Sequence, residues 1–222
     1  MSNSLLSSGG CRFCGIVNGA SDAQTNVLDT PWLQSARYAA FTSVGSFIPG
    51  WALIVPRSHR LNLTVDYDRD DFVEFTRGVI SLVETKFGRS CVFEHGTTSA
   101  DSNTSCGTAH AHLHVVPFAD DLESLAAKFD ENLAWMSVKC SDVAEASLGR
   151  EYLFVANEFH GKESKGKLAL LAQGRSQFFR QVLAQAVGKT GAYNYREDPC
   201  ADQSLQSALV MHGLADLYQE VA

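Results

Sequence analysis

Two rhythms of apolar and polar residues divide this chain. Residues 37–43 (RYAAFTS) and 51–56 (WALIVP) are short apolar runs separated by SFIPG, whose Pro49 and Gly50 are turn formers, and this predicts two strands. Between about 68 and 87 the period lengthens. Phe72, Phe75, Val79, Leu82, Val83 and Phe87 recur three and four apart, acidic residues crowd the start and Gly88 follows, which predicts a helix. SCVFEH (90–95) predicts another strand. Residues 110–117, HAHLHVVP, alternate polar and apolar positions with period two and predict one more, polar on one face and packed on the other. Further on, the pattern predicts a helix over 121–136, strands over 151–156 and 168–172, and helices over 175–187 and 202–221.

Strand, strand, helix, strand, strand is the order of an α+β fold. The expectation is an antiparallel sheet of about five strands with one packed helix, followed by a mainly helical C-terminal extension. Residues 1–10 read as a flexible polar tail, 11–120 as the core and 121–222 as the extension. Its single strand pair is too small for an independent sheet domain, so the extension is expected to pack on the core.

Charge and composition narrow the classes of partner. A formal net charge of −7 gives no basic field for nucleic acid or anionic lipid, although a few local donors can still hold a small anion. No apolar run approaches a membrane span, and the first residues lack the charged and apolar regions of a secretory signal. Six cysteines in 222 residues are too sparse for a disulfide scaffold, which argues for a reducing, cytoplasmic setting.

The candidate chemistry sits in the alternating run, where His110, His112 and His114 account for three of the chain's seven histidines. Three readings are open: a solvent-facing polar stripe, a metal site, or catalysis by imidazole. Alternate side chains stand about 7 Å apart along a strand, so three such rings cannot all converge on one ion. A neutral imidazole pinned in one tautomer is a good nucleophile near neutral pH. Cys11 and Cys14 form a C-x-x-C. A redox pair would need a βαβ setting with the motif opening a helix, which this terminus does not suggest. Two free thiols and half of a zinc site both remain open.

Taken together, three segments resemble the histidine triad superfamily. HAHLHVV fits its H-φ-H-φ-H-φ-φ signature, where φ is apolar; CRFCGIVNG (11–19) is similar to the opening of its zinc-bearing bacterial members, and PGWALIVPRSH (49–59) to their strand ending in P-[KR]-x-H. The resemblance implies that His112 attacks the α-phosphorus of a nucleotide conjugate to form a nucleotidyl-imidazole, and that His114 donates to a non-bridging oxygen. It implies a structural Zn²⁺ held by Cys11, Cys14, His59 and His110. Phe13 and Ile16 match positions lining the base pocket. Family members are often homodimers, with the long extension an alternative to a partner subunit. The implied activity is nucleotide-conjugate hydrolysis. Alternatives are nucleotidyl transfer or phosphorolysis on the same intermediate, or nucleotide binding without catalysis. A metal-dependent hydrolase with an open site is a further rival from another class.

This chain departs from that pattern where substrate is chosen. Ser43 stands where many members carry Asp or Asn for the ribose. EHG (94–96) replaces N-x-G, and Ser105, Cys106 and Gly107 replace the usual G-Q-S. Gly107 and Thr108 are therefore the candidates for meeting phosphate. Phe178, Phe179 and Val182 read as a helix core face with Gln177 and Arg180 as solvated neighbours. An alternative has Arg180 or Arg196 reach a phosphate. His95 is left open, while His160 and His212 read as surface residues.

Overall fold

The chain's computed structural model describes residues 11–17, 26–105 and 108–221. The expected tail at 1–10 and Gly107 lie outside the described residues. A short helix, α1 (Arg12–Val17), leads into β1 (Leu33–Gln34), β2 (Tyr38–Thr42) and β3 (Ala52–Pro56). Helix α2 (Asp70–Phe87) follows, then β4 (Ser90–Gly96) and β5 (Leu113–Pro117). The second half supplies α3 (Leu122–Phe129), β6 (Trp135–Lys139), α4 (Val143–Ala146), β7 (Tyr152–Ala156), β8 (Lys165–Leu170), α5 (Phe178–Ala186) and α6 (Ala201–Val221).

These strands form one antiparallel sheet in the order β1-β2-β3-β5-β4-β7-β8-β6. The α+β class is as expected, but the sheet has eight strands rather than about five, because the extension adds three strands beside its helices. The reason is the free edge of β4. Its backbone N–H and C=O groups need partners once buried, and β7 supplies them from Val92↔Ala156 to Gly96↔Tyr152. Trp135 and Met136, expected at the end of a helix over 121–136, instead begin β6 (WMSVK), which pairs with β8 at the sheet's far edge.

A second correction concerns the sheet's faces. Neither is polar: β2, β3, β4 and β7 are buried at every position. On one face Tyr38, Ile54, Val92, Leu113, Val115 and Phe154 pack under Phe72, Val79 and Val83 of α2. On the other, Phe41, Leu53, Val55, Phe93, Val116 and Val155 pack under Phe13 of α1, Leu122 of α3 and Phe178, Phe179 and Leu183 of α5. Covering both faces turns alternating strands into nearly continuous apolar ones, and each aromatic ring so buried stabilises the fold by about 1.5–3 kcal/mol.

Helix α6 fixes the connection between β2 and β3. The backbone N–H groups of Ser46 and Gly50 donate to the hydroxyls of Ser204 and Ser207 at 3.2 and 3.1 Å, and Gln203 Nε2 donates to the Ser46 carbonyl at 2.7 Å. Within that connection Gly45 has φ +70°, and a Cβ there would lie 2.2 Å from the Cβ of Tyr195. Only glycine allows both the turn and the approach of the 188–200 segment over it.

On the α2 face, the carboxylate of Glu94 lies inside the core. Glu94 is 1% exposed and accepts from the hydroxyls of Tyr67 (2.8 Å) and Tyr152 (2.6 Å) and from the Leu63 N–H (2.7 Å). Burial pushes its carboxyl up to about 7, against the pull of those three donors. The folded protein therefore holds this proton more tightly than the unfolded chain, where the value is 4.5. Glu94 contributes most to stability below 4.5 and loses that contribution as pH rises through about 7. Relative to wild type at matched pH, Glu94→Gln should gain about 3 kcal/mol between pH 4.5 and 8, read from denaturant unfolding. A pH-independent difference would show that the carboxyl does not titrate in this window.

Candidate functional site

The α5 face of the sheet carries a line of imidazoles. His114, on β5, stands opposite Leu53 of β3 and Phe93 of β4, and its ring stacks on Phe93 at a centroid distance of 4.3 Å. His112 lies just before the strand, with its ring centroid 4.7 Å from that of His114. His110 does not continue the line. The strand begins only at Leu113, because the preceding backbone leaves the ladder to bond elsewhere, with Ala111 N–H donating to the Arg60 carbonyl at 2.7 Å.

Hydrogen bonds assign the two rings opposite tautomers. His112 Nδ1 lies 2.8 Å from the carbonyl of His110, and a carbonyl only accepts, so Nδ1 carries the proton and Nε2 is left bare. His114 Nδ1 accepts from the indole N–H of Trp51 at 2.9 Å, which places its proton on Nε2. Burial lowers the affinity of both rings for a second proton, so each is held neutral. The pair thus presents one lone pair and one N–H.

His110 serves a different cluster. Its Nε2–H donates to the Pro56 carbonyl at 2.8 Å, which turns the Nδ1 lone pair towards Cys11 Sγ at 3.3 Å and Cys14 Sγ at 3.5 Å. His59 Nδ1 lies 3.2 Å from Cys14 Sγ, and all four ligand atoms fall within 4.8 Å of one another. Tetrahedral zinc bonds of about 2.3 Å to sulfur and 2.1 Å to nitrogen imply ligand separations of about 3.6 Å. The donor set and spacing are therefore compatible with zinc. Burial, then Cys11, push the Cys14 thiol up to about 11, a cost that a divalent cation between the sulfurs would reverse. The C-x-x-C does open a short helix, contrary to the expectation for this terminus, but it packs on the face of an antiparallel sheet rather than in a βαβ unit.

Around His112 and His114 is a cavity of about 80 Å³, lined also by Arg12, Phe13, Ser43, Thr108, His95, Arg180 and Tyr195. It is smaller than the ~300 Å³ at which ordinary ligand pockets begin. Of the expected substrate-facing residues, Phe13, Ser43 and Thr108 line it, while Ile16 packs in the adjoining apolar cluster. Phe13 sets its ring 5.8 Å from that of His112. A larger concavity, about 580 Å³ along β6 and α4, shares no residue with this one.

The extension contributes Arg180 and Tyr195 to the cavity. Arg180 of α5 is 4% exposed, so it is no solvated neighbour; Gln177, at 9%, is also close to buried. The Arg180 guanidinium lies 4.8 Å over Trp51 and 5.6 Å over Tyr195, and donates to the carbonyls of Gly45, Tyr193 and Ala192. Arg196 does not line the cavity and lies against the Tyr195 ring. The loop leading to Thr108 is latched by Glu151, which accepts from the hydroxyls of Thr97 (3.1 Å), Ser102 (2.9 Å) and Thr104 (2.8 Å). Trp51 and Tyr195 were not read as site residues: Trp51 falls in the apolar run 51–56, which reads as ordinary core, and Tyr195 in a turn-rich segment without period.

Fold and site thus define an α+β protein with paired neutral imidazoles beside a Cys₂His₂ cluster. No family model matches the chain, and no curated protein matches it. Among solved structures it is similar to a HIT-like protein involved in cell-cycle regulation from Bartonella henselae, at 16% identity over 49% of this chain and 77% of that one, TM-score 0.39. A hypothetical histidine triad nucleotide-binding protein from Sulfolobus tokodaii strain 7 gives 19%, 50%, 71% and 0.35 in the same order. A histidine triad protein from Clostridium difficile gives 20%, 55%, 96% and 0.34. Likeness at this level assigns no role to any residue.

The tautomers are directly measurable. In ¹⁵N-histidine spectra His112 should appear as the Nδ1–H form and His114 as the Nε2–H form. Trp51→Phe should let His114 populate both and should cost about 1–3 kcal/mol of stability through packing and the lost donor. A wild-type His114 protonated on Nδ1 would contradict the assignment.

Proposed function

We propose that this protein is a nucleotide-conjugate hydrolase acting at the α-phosphorus through a covalent nucleotidyl-histidine intermediate on His112. The observation that carries this reading is the opposed tautomer pair, a bare Nε2 on His112 beside an Nε2–H on His114, at a cavity lined by Arg180, Ser43 and Thr108. Attack requires a lone pair, and the charge that develops on phosphate oxygens requires a fixed donor.

In the first step the His112 Nε2 lone pair forms a bond to phosphorus. The bond to the leaving group breaks, and that group departs with the electron pair and takes a proton from solvent. The His110 carbonyl, accepting from Nδ1–H, stabilises the positive charge gained by the ring, and His114 donates to a non-bridging oxygen. In the second step a water oxygen bonds to phosphorus, the N–P bond breaks, its electron pair returns to Nε2 and the water's proton is released. A nucleotidyltransferase or phosphorylase would differ only in the acceptor that replaces water. Phe13, with Ile16 behind it, offers an apolar wall for a base, and Ser43 and Thr108 offer hydroxyls for sugar or phosphate.

Cys11, Cys14, His59 and His110 would hold one structural Zn²⁺. Bound there, the ion supplies a tie between α1 and the end of β3, and with it the position of the His110 carbonyl. A second reading, nucleotide or phosphate binding without turnover, is favoured by the size of the cavity under Arg180 and Tyr195. The hydrolase reading takes the protein to be cytoplasmic, with either a homodimer partner or the C-terminal extension completing the subunit. Among the described residues no helix is long and apolar enough to cross a membrane.

Incubation with adenosine and uridine 5′-(p-nitrophenyl phosphate), quenched and read by intact mass, should reveal one nucleotidyl adduct per chain. His112→Ala should show none and should release nitrophenol at least about a thousandfold more slowly. Saturable nucleotide binding with neither adduct nor release would establish the second reading instead. Metal analysis of protein with reduced thiols should find about one zinc per chain, kept in His112→Ala and lost in Cys14→Ser. Zinc-free wild type with intact, reduced thiols would remove the metal from the proposal.

A further inference from the structure

One buried donor at the cavity has no acceptor. His95 lies on β4, two residues beyond Phe93 and on the same face, and its ring centroid is 6.0 Å from that of His114. Continuing the β4–β5 register from Phe93↔His114 brings His95 level with His112. Its Nε2 accepts from the backbone N–H of Phe179 at 3.4 Å, so in the neutral ring the proton sits on Nδ1. That Nδ1 is buried and meets no hydrogen-bond partner among the described residues, although the ring as a whole lines the cavity. Burial holds the ring neutral by pushing it down to about 3. A buried N–H without an acceptor costs stability comparable to a lost hydrogen bond, and such groups mark places where a ligand completes the pairing.

The cavity indicates which ligand. Its other polar lining comes from His114, which carries its proton on Nε2, from His112, from Arg12 and Arg180 and from the hydroxyl residues Ser43, Thr108 and Tyr195, with no carboxylate among the lining residues. Donors on several sides of a space this small suit an oxyanion with several acceptor oxygens and exclude a cation. We propose that His95 is a second phosphate-binding donor, its Nδ1–H taking one non-bridging oxygen of the phosphate while His114 takes another. The inference rests on the reading of His112 as nucleophile only for its effect on rate; the binding of phosphate by His95 stands apart from it.

Because the oxygens gain charge as phosphorus is attacked, this donor acts more on kcat than on KM. His95→Phe keeps the ring volume and removes the donor, whereas His95→Asn returns an amide N–H near the position of Nδ1. With the nitrophenyl conjugates, His95→Phe should lower kcat about 100-fold with KM near wild type, and His95→Asn should recover roughly tenfold of that loss. Both variants also remove the acceptor of the Phe179 N–H, so their melting temperatures should fall by a similar amount while their rates differ. A purely structural His95 predicts the reverse: rate loss that tracks melting temperature, and no advantage of Asn over Phe.

A readout independent of turnover comes from ¹⁵N-histidine-labelled wild type titrated with inorganic phosphate. The Nδ1–H of His95 and the Nε2–H of His114 should both shift and saturate together. Both shifts in a protein that forms no adduct would retain His95 as a phosphate donor and overturn the hydrolase. Failure of phosphate to bind, or binding that moves His114 and leaves His95 unmoved, would overturn the inference.

Discussion

The backbone carbonyl of His110 is the contact on which the rest of the site depends. It accepts from His112 Nδ1 at 2.8 Å, and that single bond decides which nitrogen of His112 is bare. The carbonyl is in turn placed by its own side chain, whose two nitrogens are both committed, one to Pro56 and one to the thiols. A residue held at both ring nitrogens cannot rotate, so its peptide is fixed as well. The cysteines near the start of the chain thereby reach the imidazole chemistry through one residue, without touching the cavity themselves.

Charge at the cavity is managed without any carboxylate in its lining. The rings of His95 and His114 are kept neutral by burial, and Arg180 lies between the faces of Trp51 and Tyr195 while its hydrogen bonds go to carbonyls. Trp51 links the two, donating its N–H to His114 and offering its ring to the guanidinium. The carboxylates near the site, Glu94 on the opposite face and Glu151 at the loop, are each occupied by three donors. This leaves the space beside His112 positive or neutral in a chain whose net charge is −7.

Local periodicity made much of this legible. The three-and-four spacing from Phe72 to Phe87 predicted α2 to within two residues of its start, and the apolar runs predicted β2, β3, β4 and β7. Period failed where pairing at a distance decided the outcome. WMSVK has no strong alternation and becomes a strand only because β8 lies beside it. The polar face expected of HAHLHVVP is covered by α5, a segment more than sixty residues further on, and nothing local to the histidines announces it. Arg180 was misread as solvated for the same reason: its helix packs on the sheet, and the aromatic rings that accept its charge come from residues 47, 51 and 195. The set Cys11, Cys14, His59 and His110 could be read only through the resemblance of three separate segments to a known family, since ligands as much as 99 residues apart leave no trace in local pattern.

The strand order has a consequence for how the molecule comes into being. β4 lies between β5, which follows it closely in the chain, and β7, which begins only at Tyr152. In a chain made from its N-terminus, every residue from Cys11 to Pro117 is available before β7 exists. The thiols, His59, His110 and the β3–β5–β4 pairing can assemble at that stage, with one edge of β4 bare. An unpaired buried-type edge is a template for the wrong partner, so the interval before Tyr152–Ala156 arrives is when this protein is most open to association with other chains. Speed of synthesis through residues 118–156 therefore bears on yield in a way that the finished fold does not reveal.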